Sequence, residues 1–166
     1  MHLLLLLVLI ARFGAQAGSD PLLSRLAGTW SGTGTVLNQP AKIEMEWAWQ
    51  LNGQFLKLSF KNRMPSTRSA RSGQGAGAVT VFEGHAYYRP VAGGGYRGMW
   101  FDNSGMFRPL DARQDGDALV SQWGTPETEQ GETTYRLLAD GKMEVVDRVK
   151  GKDGTWREFG RSHLTR

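Results

Sequence analysis

The sequence predicts an all-β fold, a single antiparallel up-and-down barrel of about eight to ten strands. Three observations predict it. Asn-Gly and Asp-Gly pairs recur at Asn52-Gly53, Asp115-Gly116, Asp140-Gly141 and Asp153-Gly154, with Asp102-Asn103-Ser104-Gly105 among them. Such pairs tolerate the positive φ of tight hairpins, so they mark strand reversals. Apolar and polar residues alternate between the turns, and no segment beyond Ser24 carries a sustained helical stripe. A meander of strands joined in sequence order hides its edges by closing on itself, with a two-sheet sandwich as the other architecture.

The elements follow in order. Residues 3–11 are an unbroken apolar run of nine, then come Arg12 and Ala15-Gln16-Ala17. The run is too short to span a bilayer, which takes about 20 residues of helix. With its small-x-small ending it predicts a secretory leader cleaved after Ala17, although no Lys or Arg precedes it. Residues 18–166 then form the exported domain, in the periplasm or secreted, with no stable membrane insertion after cleavage. Asp20 and Pro21 suit the start of one short helical turn up to Leu26.

The predicted strands are 29–37, 42–50, 56–61, 79–88, 96–101, 106–113, 118–123, 133–138, 142–150 and 155–164. In 42–50, Ile43, Met45, Trp47 and Trp49 share the inward face, opposite Lys42, Glu44, Glu46 and Gln50. Leu56, Leu58 and Phe60 repeat the pattern in the next strand. In the last strand Arg157, Phe159, Arg161 and His163 share the outer face, leaving Trp156, Gly160 and Leu164 inside. Residues 66–77, rich in Ser, Arg and Gly, form a long loop in which Arg68 and Arg71 are candidates to greet an anion.

Composition excludes several functions. There is no cysteine, which removes disulfides, thiol catalysis and thiolate metal sites. The formal net charge is +4, but five bases stand between Glu46 and Glu83, and six acids stand from Asp111 to Glu132 inclusive. That mild dipole lacks the dense basic stripe of a nucleic-acid surface, so no nucleic-acid partner is expected. The two histidines beyond the leader, His85 and His163, have no metal-site spacing, and no nucleophile elbow or phosphate loop occurs. Catalytic residues, metals and cofactors are therefore absent from the expectation.

Leu26-Ala27-Gly28-Thr29-Trp30-Ser31-Gly32-Thr33-Gly34 opens the first strand with Gly28-x-Trp30. That opening, followed by a meander, resembles the calycin superfamily of lipocalins, fatty-acid-binding proteins and their bacterial lipocalin-like relatives. The closer resemblance is to uncharacterised bacterial lipocalin-like domains. It rests on the tryptophan-rich second strand, Asn52-Gly53-Gln54-Phe55-Leu56, Gly98-Met99-Trp100-Phe101-Asp102, Trp123-Gly124-Thr125, Glu129-x-Gly131-x-Thr133-x-Tyr135 and Asp147-x-Val149. The resemblance implies a barrel, and a last-strand cation packed on Trp30: Arg161, with Arg157 or Arg166 as alternates. The heme-binding nitrobindin-like branch begins similarly and uses a last-strand histidine, near the place of His163.

Six tryptophans, from Trp30 to Trp156, exceed what a small core of aliphatic residues requires. Together with Tyr88 and Tyr135 they suit an aromatic wall for a small apolar or amphipathic molecule. The candidate ligand-binding residues are Trp47, Trp49, Phe60 and Tyr88, followed by Trp100, Trp123, Tyr135 and Asp147. Asp147 shares a face with Met143, Val145 and Val149, so its buried carboxylate needs a cationic or hydrogen-bonding partner, which an arginine such as Arg89, Arg97 or Arg136 could supply. It is either one half of a structural ion pair or a polar anchor for the ligand. The alternatives to a non-catalytic ligand-binding barrel are a heme barrel with His163 as axial ligand and a filled barrel that docks proteins.

Overall fold

The computed structural model describes residues 20–66 and 78–166. The predicted leader and almost all of the predicted 66–77 loop, with Arg68 and Arg71, lie outside the described residues. The chain forms one short helix, α1 (Pro21–Leu26), and ten strands. These are β1 (Gly28–Val36), β2 (Gln39–Gln50), β3 (Phe55–Pro65), β4 (Val79–Pro90) and β5 (Tyr96–Asp102), then β6 (Phe107–Asp115), β7 (Ala118–Trp123), β8 (Gly131–Leu137), β9 (Met143–Lys150) and β10 (Trp156–Thr165). Each strand pairs antiparallel with its sequence neighbours, and β1 pairs with β10 to close the barrel. The up-and-down barrel is as the turn signals and alternation predict.

Most reversals fall at the expected glycines; at Asn52-Gly53, Leu51 joins them with φ near 52°. The β1–β2 reversal uses Leu37 and Asn38, both at positive φ without glycine, so no turn signal marks it in the sequence. On β2, Ala41, Ile43, Met45 and Trp47 are buried, and alternate residues face out. Trp47 is 1% exposed. The seam between β1 and β10 depends on small residues. A Cβ on Gly32 would stand 2.0 Å from the His163 carbonyl oxygen, and one on Gly34 would stand 2.1 Å from that of Arg161.

Helix α1 closes one end of the barrel. Asp20 caps it, accepting from the Leu23 amide at 2.9 Å. Leu22, Leu23 and Leu26 are buried in the same cluster as Trp30 and Trp47; each such leucine contributes about 1.5–3 kcal/mol of burial. Tyr96 on β5 donates to Asp20, Arg25 pairs with Asp117 in the β6–β7 turn, and the Trp30 indole on β1 donates to the Leu26 carbonyl at 2.8 Å. Because β1 and β6 face each other across the ring, these contacts carry α1 from one wall to the other.

Two expectations about β10 need correction. The cation on the Trp30 ring is Arg166, at 4.5 Å from the ring centroid, and it also donates to the Arg25 and Ala27 carbonyls. Arg161, the first choice, instead pairs with Glu144 and Glu158 on the outer wall. The register of β10 also shifts between Glu158 and Gly160. That bulge changes the in–out parity, turning Phe159 inward and leaving Trp156 42% exposed, so Trp156 belongs to no interior wall.

Candidate functional site

The half of the barrel away from α1 is hollow. A cavity of about 350 Å³ opens there, and all ten strands contribute to its lining. This is within the size range of small-molecule sites. Six of the eight candidate residues line it: Phe60, Tyr88, Trp100, Trp123, Tyr135 and Asp147. The other two do not. Trp47 lies beneath the cavity, packed edge-on against Tyr135 at 5.0 Å between ring centroids and tilted against Tyr88 at 5.8 Å. Trp49 is half-buried farther down β2 towards the Leu51–Gln54 turn, because successive inward residues of a strand descend towards the closed end.

Glycines explain how two indoles line a void instead of filling it. A Cβ on Gly131 would stand 1.8 Å from the Trp123 ring, its directly paired neighbour on β7. One on Gly84 would stand 2.1 Å from the Trp100 ring. Both indoles therefore occupy the space of a missing side chain. Phe82, one register step from Gly84, stacks at 6.3 Å on Trp100, and Phe60 joins them at 6.1 Å.

The mouth is polar. Arg108 lies over the Trp123 ring at 5.0 Å, donates to the Glu129 carbonyl at 2.7 Å and pairs with its carboxylate at 3.3 Å. Asp102 accepts from the Trp100 indole at 3.0 Å and from Ser104. Burial works to raise the Asp102 carboxyl, but the hydrogen bonds from Ser104 and Trp100 outweigh it and hold the group below the usual range.

The interior polar groups sit deeper. Tyr88 and Ser121 share a hydrogen bond of 3.0 Å between hydroxyls. Burial pushes the Tyr88 phenol up to about 12 and Tyr135 well above its usual value, so both remain neutral donors. Asp147 receives one side-chain hydrogen bond, from the Thr133 hydroxyl at 2.7 Å, to Oδ1. Its Oδ2 faces the place where Gly160 has no side chain; a Cβ there would be 2.9 Å away. Burial pushes its carboxyl up to about 6, against the Thr133 bond and with help from the charge of Glu158.

Of the two kinds of partner expected for Asp147, the hydrogen-bonding one is present in Thr133, and the arginines named for the ionic one do not supply it. Arg97 pairs with Asp111 on the outer wall, Arg89 lies over Phe55, and Arg136 has the outward parity of β8. Alternation places inward and outward residues on opposite faces, so none of the three reaches Asp147. The carboxylate is half-buried in the cavity wall, and among the described residues no cation pairs with it.

Among the lining groups that sequence reasoning missed are Asn62, Thr133 and Phe159. Asn62 continues the inward face of Leu56, Leu58 and Phe60, but the predicted strand stopped at residue 61. It is 3% exposed, and its Oδ1 has no hydrogen-bond partner. Thr133 was legible through its shared parity with Tyr135, whereas Phe159 was hidden by the bulge. His163 is on the outer wall, 58% exposed at its side chain, with Nε2 3.6 Å from Glu144. It does not reach the cavity. Among the described residues no cluster of three or more His, Asp or Glu side chains is arranged to hold a metal ion. Comparison with protein-family models and with curated protein sequences gives no match for this chain.

Proposed function

We propose that this barrel is a non-catalytic binding protein that holds one small apolar or amphipathic molecule in its interior, in the manner of the calycins its sequence resembles. The observation that carries this reading is the open aromatic cavity, hollow because Gly84 and Gly131 let two indoles lie against its wall. A barrel selected only as a packed scaffold would fill that space, since voids forfeit dispersion contacts and cost stability. Apolar walls give affinity, and a few polar groups fix orientation. Among the described residues the lining holds no histidine or lysine to act as a base on the Thr133 hydroxyl beside Asp147, so binding fits the site better than reaction. The leader pattern of residues 3–17 supports export, which places the ligand outside the cytoplasm.

Titration with N-phenyl-1-naphthylamine tests the reading, because this neutral dye brightens on entering an apolar site. Saturable one-to-one binding is expected, accompanied by quenching of tryptophan emission. Native mass spectrometry of protein from its own host would then show a co-purifying small molecule. Absence of any saturable dye binding would overturn the proposal and favour the protein-docking alternative.

A further inference from the structure

Resting on that reading of the cavity as a binding site, we infer that its ligand is an organic cation, an amine or quaternary ammonium on an aromatic or aliphatic body, with the cationic group seated at Asp147. Four observations converge on this class. The first is the unpaired carboxylate. Asp147 is half-buried in the cavity wall, and among the described residues a neutral hydroxyl, Thr133, is its one side-chain hydrogen-bond donor. A buried charge ordinarily carries a counter-charge, because desolvation otherwise costs several kcal/mol. Among the described residues none is supplied, and the Oδ2 atom is left towards the space beside Gly160.

The second observation is the sign of the lining. The protein as a whole is net positive, yet among the described residues Asp102, Glu129 and Asp147 line the cavity against one cation, Arg108. Arg108 is already engaged by Glu129 and by the Trp123 ring. An anionic ligand would meet an acidic interior. A cation would meet complementary charge.

Third, the walls are π surfaces. Trp100, Trp123, Phe60 and Tyr135 surround the same space, and ring faces attract cations most strongly where water is excluded. Finally, Asn62 offers a buried acceptor with no partner inside the same cavity. An N–H of a primary or secondary amine, or a ligand hydroxyl, satisfies it. The groups facing Asp147 are Thr133 and Tyr135 on β8, Tyr88 on β4 and Glu158 on β10; none of them is cationic. Burial holds the carboxyl near 6, so cation binding should weaken as pH falls through that value.

The test uses benzyltrimethylammonium, whose charge does not titrate, beside its neutral isostere neopentylbenzene and the anion 3-phenylpropionate. Each displaces N-phenyl-1-naphthylamine from the purified protein. The expected order is cation, then neutral isostere, then anion, with the cation bound at least about tenfold more tightly than the isostere. Between pH 7 and pH 5 the cation's affinity should fall about tenfold as Asp147 is protonated, while that of the isostere stays level. Asp147→Asn should remove the pH dependence and reduce the preference, read as the ratio of cation to isostere affinity, to what the ring faces alone supply. Thr133→Val keeps the carboxylate but removes the bond that stabilises its charge, so the pH midpoint should move upward. Dye binding with no preference for the cation would overturn this inference alone. Loss of all dye binding in the wild-type protein would overturn the binding-protein reading beneath it.

Discussion

Replacing Asp147 by Asn should stabilise the empty protein at neutral pH, and the gain should vanish in acid. Asn keeps the shape and can still accept from Thr133, so the change removes mainly the charge. The folded carboxyl lies near 6, against an ordinary value of 3.8, and its cause is burial. A pKa raised by folding stabilises the native state below the unfolded pKa, and that stability is lost as pH rises through the folded one. The window is therefore from about pH 4 to just above pH 6. A rise of about two units corresponds to about 3 kcal/mol, an upper bound because water in the cavity solvates part of the charge. Urea denaturation of both proteins at pH 4, 5, 6 and 7.5 provides the comparison, since titrating groups not coupled to Asp147 cancel in the difference. The Asn variant should gain about 2–3 kcal/mol relative to wild type across that series. A flat difference would mean that the carboxylate is fully hydrated. A difference of opposite sign would mean that a cationic group of the protein reaches Asp147, which would contradict the geometry described above.

Other expectations are open to direct measurement. Trp47→Ala removes an indole buried beneath the cavity floor and should cost about 3–5 kcal/mol, read as a lower thermal midpoint; unchanged melting would place the side chain on the surface. Gly131→Ala forces the Trp123 ring out of the space it occupies, and should destabilise by about 1–3 kcal/mol while weakening dye binding about tenfold. Unaltered affinity in a folded variant would separate that indole from the binding space. Intact-mass analysis of the protein from its native host should give a chain beginning at Gly18, found outside the cytoplasm; retention of residues 1–17 would refute the export reading.

The fold was legible because its two signals are local. Asn-Gly and Asp-Gly pairs mark most of the reversals, and alternation along residues 42–50 sets which face of β2 is buried. What remained hidden has nonlocal or parity-breaking causes. Leu37 and Asn38 adopt a conformation their identities do not advertise. The bulge before Gly160 inserts one residue, and every inward or outward assignment across it changes sign. The candidate site was legible as an aromatic set, since parity alone directs Phe60, Tyr88, Trp100, Trp123 and Tyr135 towards the interior. Its hollowness was not. That depends on Gly84 and Gly131, whose significance appears only when the neighbouring strand lays an indole over them. The lone state of Asp147 was equally out of reach, because it depends on where three arginines across other strands do not point.

The seam between β1 and β10 has a consequence for how the chain folds. The other nine pairings join adjacent strands and can form as local hairpins, on the order of microseconds each. The seam brings Gly34 opposite Ser162, closing a loop that spans nearly the whole domain. Bringing its ends together costs about 4 kcal/mol of chain entropy before any contact is made. Two fasteners hold it: the Leu37 amide on the Phe159 carbonyl at one end, and Arg166 on the carbonyls of Arg25 and Ala27 at the other. Contacts of such long range set the pace of folding in β proteins. The barrel should therefore close last at this seam and open first there, which makes β1 and β10 the pair whose separation parts the wall without dismantling the remaining sheet.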